Sequence, residues 1–237
     1  MNVALLTAAG SGTRMHQDIP KQFIHVDNKP VIIYTLEAFQ NHPSIDAIIV
    51  VTLDSWSEVL WAYARQFNIT KLRWVVPGGA TGQESIKNGL DVLMQELSAD
   101  DVVMVHDGNR PLVSSEIISD SLATFSRYGS AVAVIPCTEV VFETDDGISS
   151  CVSTERERLR RTQTPHTYRI GELYDAHLEA LSKGITNTAA SCMLMKELGR
   201  TTYFSKGSEE NLKITTLDDL KIFKALLYMT QDSWIKK

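Results

Sequence analysis

The chain is short of cysteine, of net positive charge and of long apolar runs, and each shortage removes a class of protein. Three cysteines, Cys137, Cys151 and Cys192, are odd in number and lack the spacing of a disulfide framework, a zinc site or a redox pair. They read as reduced thiols of a cytoplasmic protein. A formal net charge of −6 over 237 residues leaves no extended basic face, which argues against nucleic acid or a membrane surface as the main partner. No run approaches the ~20 residues that cross a bilayer, and the first apolar run is too short and lacks the basic flank of a signal peptide. A G-x-S-x-G elbow, metal-ligand spacing and an evident cysteine nucleophile are missing too.

What is present is ordinary in bulk and specific in places. With 43% apolar and 22% charged residues the chain can bury the core of one large or two small domains. Strand-like runs alternate with helical patterns, the signature of a mostly parallel α/β sheet flanked by helices. Strands are expected at residues 3–6, 46–52, 72–76, 102–106 and 131–135, with a further strand-like element at 211–215. Helices are expected from Pro30 to about Asn41, after a Ser55/Glu58 capping box burying Val59, Leu60, Tyr63 and Phe67, and from about Glu84. Further helices are expected from Ser114 to Tyr128, at 170–182, at about 189–198, and from a Thr216/Asp219 cap to about Tyr228. Between Thr138 and Thr154 two alternating stretches flank Asp145-Asp146-Gly147, which predicts a hairpin.

The chain is organised around residues 2–22. An apolar strand, Val3–Leu6, ends in Ala8-Ala9-Gly10-Ser11-Gly12, where small residues let backbone N–H groups approach an anion. Arg14 and Lys21 follow, with Pro20 stiffening the chain before the lysine. Met15 stands where a dinucleotide fingerprint needs a small residue, and the Gly-Lys-Ser/Thr of a Walker loop is absent. A second glycine loop, Pro77–Gly82, lies at the C-terminal end of a strand, the edge where open α/β sheets bind ligands. Asp107 follows another strand at the same edge, where a carboxylate can hold a divalent cation against phosphates. Cations, amide nests and a single carboxylate suit phosphoryl or nucleotidyl transfer, in which positioning and charge stabilisation do most of the work.

Five motifs, in order, carry a resemblance to a known family: AAGSGTRM…PKQ, the second loop PGGATGQES, VHDGNRP, TQTP and NLKIT. Together they resemble the cytidylyltransferases that make CDP-activated polyols, from 2-C-methyl-D-erythritol 4-phosphate or D-ribitol 5-phosphate. The resemblance runs down almost the whole chain. It implies one nucleotidyltransferase domain over 1–237 of the nucleotide-diphospho-sugar transferase type, with CTP and a polyol phosphate as substrates and Mg2+ as cofactor. The hairpin at about 138–156 would be an arm crossing a two-fold homodimer. By the same resemblance Ala8, Ala9, Gly10, Gly12, Gly79, Ser85 and Asp107 bind the nucleotide, and Asp107 also holds the metal. Arg14, Lys21 and Lys213 are the catalytic cations, while Arg110, Val140, Arg156 and Thr164 serve the acceptor, Val140 and Arg156 from the partner subunit.

The chain departs from the family pattern at Ala80, Val140, His166 and the stretch Thr186–Ser191, where acidic, threonine, glutamine and acidic residues are common. Gly108 and Asn109 also replace small residues that only shape a turn. His106 is expected to pack into the sheet, since no second His or Cys stands at ligand spacing. Of Arg156, Arg158, Arg160 and Arg161, at least two are expected to cover a solvated face. Two other functions fit these residues: nucleotidyl transfer from another NTP to a sugar 1-phosphate, and a nucleotide-binding regulator without turnover.

Overall fold

The computed structural model describes residues 1–10 and 19–229. In chain order the strands are β1 (Asn2–Ala8), β2 (His25–Val26), β3 (Lys29–Pro30), β4 (Ala47–Thr52), β5 (Leu72–Pro77), β6 (Val102–Asp107), β7 (Ala131–Pro136), β8 (Val141–Glu143), β9 (Val152–Thr154), β10 (Arg160–Arg169) and β11 (Phe204–Lys206). The helices are α1 (Val31–Asn41), α2 (Ser57–Gln66), α3 (Gly82–Glu96), α4 (Ser115–Tyr128), α5 (Ile170–Ser182), α6 (Ser191–Glu197) and α7 (Leu217–Met229).

Among the described residues, seven strands form one sheet in the order β11-β7-β10-β6-β1-β4-β5. All its pairings are parallel except those of β10, which runs antiparallel between β6 and β7. β1 and β4 are interior strands of the sheet, and every residue of β4 is buried, as expected of strands covered on both faces. The two-residue period of a strand divides their side chains. Ala4, Leu6, Ile48 and Val50 join α1, α2 and α4 in one core. Val3, Leu5, Ile49 and Val51 join α3 and α5 in the other. A third, small cluster of Val26, Val31, Ile214 and Phe223 docks α7 and the segment before it.

Several helices start and stop where local chemistry dictates. The Thr81 hydroxyl accepts from the Glu84 N–H at the start of α3, and Ser114 does the same for Ile117 in α4. Gly129 ends α4 with φ of 85°, a left-handed conformation that glycine adopts without strain. Asp219 accepts from the backbone of Thr215 and Thr216 while Thr216 accepts from Asp219, the reciprocal cap the sequence predicts for α7. The Ser55/Glu58 cap does not form. Asp54–Trp56 is a 3-10 turn and α2 starts at Ser57, with no side chain capping it. α2 buries Leu60 and Ala64, leaves Tyr63 and Phe67 half-buried, and exposes Val59.

Two strands of the seven-stranded sheet and the short β2–β3 pair are not predicted by the sequence, and one predicted strand is absent. β10 contains the TQTP motif and reads as neither alternating nor apolar; its register slips between Thr162 and His166, so Pro165 sits in a bulge where no ladder hydrogen bond is lost. β11 has only three residues. Residues 211–215 are an irregular segment, held through side chains as described below. The helix expected at about 189–198 is the shorter α6. The predicted hairpin is present: β8 and β9 pair only with each other, and Val140, Phe142, Ile148 and Val152 on it are exposed. Asp146 organises its tip, accepting from the N–H groups of Ile148 and Ser149.

Candidate active site

The C-terminal ends of β1, β5 and β6 open onto one cavity of about 560 Å3. The beginning of the first glycine loop, Ala8, Ala9 and Gly10, lines it, and Lys21 faces it from the 3-10 turn Lys21–Phe23. Across the cavity stand Gly79 and Ser85, then Asp107 and Arg110 after β6, Thr164 on β10, and Lys213. Gly12 and Arg14 lie outside the described residues. Val140 and Arg156 are not among the lining residues; both are exposed on the arm, where Arg156 pairs with Glu157 and donates to the Thr138 carbonyl.

Asp107 is the electrostatic centre. Its Oδ2 accepts from Arg110 Nε and its Oδ1 from Lys213 Nζ, each at 2.9 Å. Burial alone would raise its pKa, but the charges and hydrogen bonds of Lys213 and Arg110 outweigh that and hold the carboxyl well below the usual range. Asp107 N–H donates to Thr164 Oγ1 at 3.0 Å. The Thr164 hydroxyl in turn lies 3.0 Å from His106 Nδ1, while His106 Nε2 donates to the Arg110 carbonyl at 3.3 Å. This arrangement fixes one tautomer of His106, which is fully buried as the sequence implies; burial pushes its pKa down to about 3, so it stays neutral.

Lys213 belongs to a segment with no regular structure, so its position depends on side chains. Asn109 holds Ile214 in both directions, its side-chain amide donating to the Ile214 carbonyl and its backbone carbonyl accepting from the Ile214 N–H at 2.9 Å. Asn109 therefore does more than shape a turn. Asn211, fully buried, donates to the Thr164 carbonyl at 2.9 Å and accepts from Arg110 at 2.7 Å through its own carbonyl. Asn109 and Asn211 went unremarked in the sequence as positioning residues because nothing in their neighbourhoods announces a long-range partner.

The second loop is less open than a bare anion nest. The Gly79 N–H donates to Ser85 Oγ, and the Ala80 N–H to Glu84 Oε2, so the first turn of α3 already satisfies both amides. Ser85 Oγ also donates to the Thr81 carbonyl. A Cβ on Gly78 would meet that of Ala9 at 2.3 Å, which brings the two glycine loops into direct contact. Gln22 adds a further tie the sequence did not suggest, donating to the carbonyls of Ala8 and Gly10. Gln83 fastens the second loop to residues 185–188, donating to the Ile185 carbonyl and accepting from Thr188. The arginine cluster divides as expected: Arg160 donates to neighbouring carbonyls and Arg161 pairs with the exposed Glu209.

Among the described residues no cluster of three or more His, Cys, Asp or Glu could enclose a metal ion. Among the described residues lining the cavity Asp107 is the one carboxylate; it pairs with Arg110 and Lys213, and Lys21 lines the same space. A mostly parallel sheet with apposed glycine loops and cations at its C-terminal rim has the build of a nucleotidyltransferase.

Comparison with known proteins narrows the class. The family model for 2-C-methyl-D-erythritol 4-phosphate cytidylyltransferase (IspD) matches residues 2–230, and the chain belongs to that family. It is thus a CTP-dependent nucleotidyltransferase by descent. It is 42% identical over 229 residues to a ribitol-5-phosphate cytidylyltransferase of Lacticaseibacillus paracasei, covering 96% of this chain and 98% of the relative. It is 35% identical over 227 residues to a 2-C-methyl-D-erythritol 4-phosphate cytidylyltransferase of Clostridium botulinum, covering 95% and 97%. Among solved structures, the Francisella tularensis 2-C-methyl-D-erythritol 4-phosphate cytidylyltransferase superposes with a TM-score of 0.79 at 27% identity, over 94% of this chain and 98% of that one. The Anaerococcus prevotii 4-diphosphocytidyl-2C-methyl-D-erythritol synthase shares the fold, with a TM-score of 0.82.

Proposed function

We propose that this enzyme transfers the cytidylyl group of CTP to ribitol 5-phosphate, forming CDP-ribitol and pyrophosphate. The observation carrying the choice of acceptor is the 37–42% identity to ribitol-5-phosphate cytidylyltransferases over nearly the whole chain, against 35–36% to the methylerythritol enzymes. An oxygen of the acceptor phosphate attacks the α-phosphorus of CTP in line; the bond from that phosphorus to the bridging oxygen breaks, and its electron pair leaves with pyrophosphate. The attacking phosphate is already anionic, so no general base is needed.

The glycine loops of β1 and β5 take the nucleotide. Lys213 turns from Asp107 to the α-phosphate, and Lys21 with Arg14 neutralises the leaving pyrophosphate. Mg2+ is usually held by one or two carboxylates together with substrate phosphates; a lone Asp107 on the cavity wall fits that donor set, and the ion would supply charge neutralisation there. Arg110 and Thr164 hold Asp107 in place. The exposed apolar side chains of the β8–β9 arm support a homodimer in which Val140 and Arg156 reach the acceptor in the partner's cavity. The free thiols of Cys137, Cys151 and Cys192 support a cytoplasmic location.

The test is pyrophosphate release from CTP with a panel of polyol phosphates. A kcat/KM for ribitol 5-phosphate at least about tenfold above that for 2-C-methyl-D-erythritol 4-phosphate is expected, a difference of about 1.4 kcal/mol in transition-state binding. The reverse preference would overturn the reading.

A further inference from the structure

The connection from α5 to α6, residues 183–190, has no regular structure. Its first apolar residue, Ile185, packs on the core beneath α3 and α5, and Thr188, Ala189 and Ala190 line the same cavity as Gly79 and Ser85 of the second glycine loop. Among the described residues, the hydrogen bonds that join residues 186–189 to other elements all go to the start of α3. Thr81 Oγ1 donates to the Thr186 carbonyl at 3.3 Å, and the Thr188 N–H and hydroxyl donate to Gln83 Oε1 at 2.9 and 3.1 Å. Gln83 Nε2 completes the tie by donating to the Ile185 carbonyl at 2.7 Å.

Gln83 is buried, and its amide has one possible orientation. The Ile185 carbonyl can only accept and the Thr188 N–H can only donate, so the two ends of the amide cannot exchange places. Both lone pairs of Oε1 are taken and a single N–H is left over, so Gln83 has little to offer a reactant directly. Thr188 supplies both donors. A carboxylate there would bring a second acceptor against Oε1, so the tie needs the neutral residue that stands at this departure from the family pattern.

The two sides of the tie differ in their other supports. In the second glycine loop the Gly79 N–H is held by Ser85, the Ala80 N–H by Glu84, and the Pro77 carbonyl by Asn88 at 3.1 Å. Residues 186–189 depend on Thr81 and Gln83. Cutting the tie therefore frees the connection and leaves the loop in place.

We infer that Gln83 is a positioning residue for nucleotidyl transfer: through Thr188 it locks the α5–α6 connection to the second glycine loop, so that two walls of the cavity move as one body. A nucleotide that orders the loop then orders the second wall as well, and the relative placement of the two reactants is set before they meet. This rests on the proposed seating of CTP on the loop at 77–82, and not on which polyol phosphate is the acceptor.

Amide hydrogen exchange on the intact protein reads the tie without turnover. Gln83→Leu and Thr188→Asp should each speed exchange at residues 185–188 by about tenfold or more, with the central strands still protected as in the parent. CTP should slow exchange at both 79–85 and 185–188 in wild type, and at 79–85 alone in Gln83→Leu. Parent-like exchange at 185–188 in both variants refutes the tie, and CTP protection that reaches 185–188 equally in Gln83→Leu refutes the coupling. Protection of neither segment in wild type refutes the seating of the nucleotide on that loop, and the ligand-free comparison still decides the tie.

Steady-state kinetics read the consequence, with whichever polyol phosphate the wild type turns over. A misplacement of about 1 Å costs up to about a hundredfold, so kcat/KM for the acceptor should fall about tenfold or more in Gln83→Leu and in Thr188→Asp, with KM for CTP within about twofold of the parent. Thr188→Ser, which keeps both donors, should recover most of the loss. The double variant should be no worse than either single one, because both cut the same tie. Losses that add, or that fall equally on CTP, would overturn the positioning role.

Discussion

Lys213 donates its ammonium to Asp107 at 2.9 Å across 106 residues of sequence. The contact joins an irregular segment to the end of a central strand, and it sets the charge at the rim of the sheet. Because Lys213 is 41% exposed in its side chain, the pair adds little to stability. Under the proposed mechanism its value lies in holding a cation beside the place where phosphate charge develops.

Lys213→Ala should therefore keep the fold and lose turnover. A transition-state cation is worth about 3 kcal/mol or more, on the scale of one oxyanion donor, so kcat should drop by roughly a hundredfold or more with a melting temperature near that of the parent. Pyrophosphate release and a thermal melt measure both; near-normal kcat would remove Lys213 from the chemistry.

Asn211→Ala should act on both stability and activity. The substitution strips the donor that holds the Thr164 carbonyl inside the core and should cost about 1–3 kcal/mol. It also loosens the segment that carries Lys213. Denaturant unfolding should show the loss, and the parent stability would contradict it.

Gly78→Ala forces the two glycine loops apart, since the added methyl would lie 2.3 Å from the Ala9 side chain. Overpacking of this kind costs about 1–3 kcal/mol. KM for CTP should rise more than KM for the acceptor, because the displaced loops are those expected to hold the nucleotide.

Acid should destabilise the protein before its carboxylates titrate. His106, His166 and His177 have folded pKa values of about 3, 4 and 4, lowered first by burial. The unfolded chain, with histidine near 6.5, binds more protons in between, so stability rises with pH across roughly 4 to 6.5 and flattens above. The melting temperature should climb through that window in wild type and less steeply in His177→Gln. A flat profile would mean these rings are hydrated or paired.

Mixing inactive variants tests the arm. If Arg156 serves the partner's cavity, equal amounts of Arg156→Ala and Lys213→Ala, unfolded and refolded together, should regain about a quarter of wild-type activity, since half the dimers are mixed and each has one intact site. No recovery would place Arg156 elsewhere.

The sequence announced the strands of the parallel sheet because central strands covered on both faces must be apolar throughout, as in AIIVVT of β4. It also announced the α4 and α7 caps, whose partners lie three residues apart. β10 stayed hidden because RRTQTPHTYR carries polar residues and a proline, and its neighbours β6 and β7 supply the burial that its own pattern does not reveal. The Ser55/Glu58 cap failed because the chain takes a 3-10 turn at Asp54–Trp56 before entering α2, and Trp56 stacks on Phe23 at 4.4 Å.

By itself, then, the chain's order of residues determined the alternation of strand and helix, the glycine loops and the presence of Lys21, Asp107 and Lys213, since these rest on local periodicity and on which side chains carry charge. Tertiary structure alone decided that Asp107 lies between Arg110 and Lys213. It alone decided that Asn109 and Asn211 anchor the lysine's segment, and that Gln83 ties the second glycine loop to Thr188. Those relations join residues far apart along the chain, and they arise only when the sheet order and the burial of whole helices bring the ends of different strands to one rim.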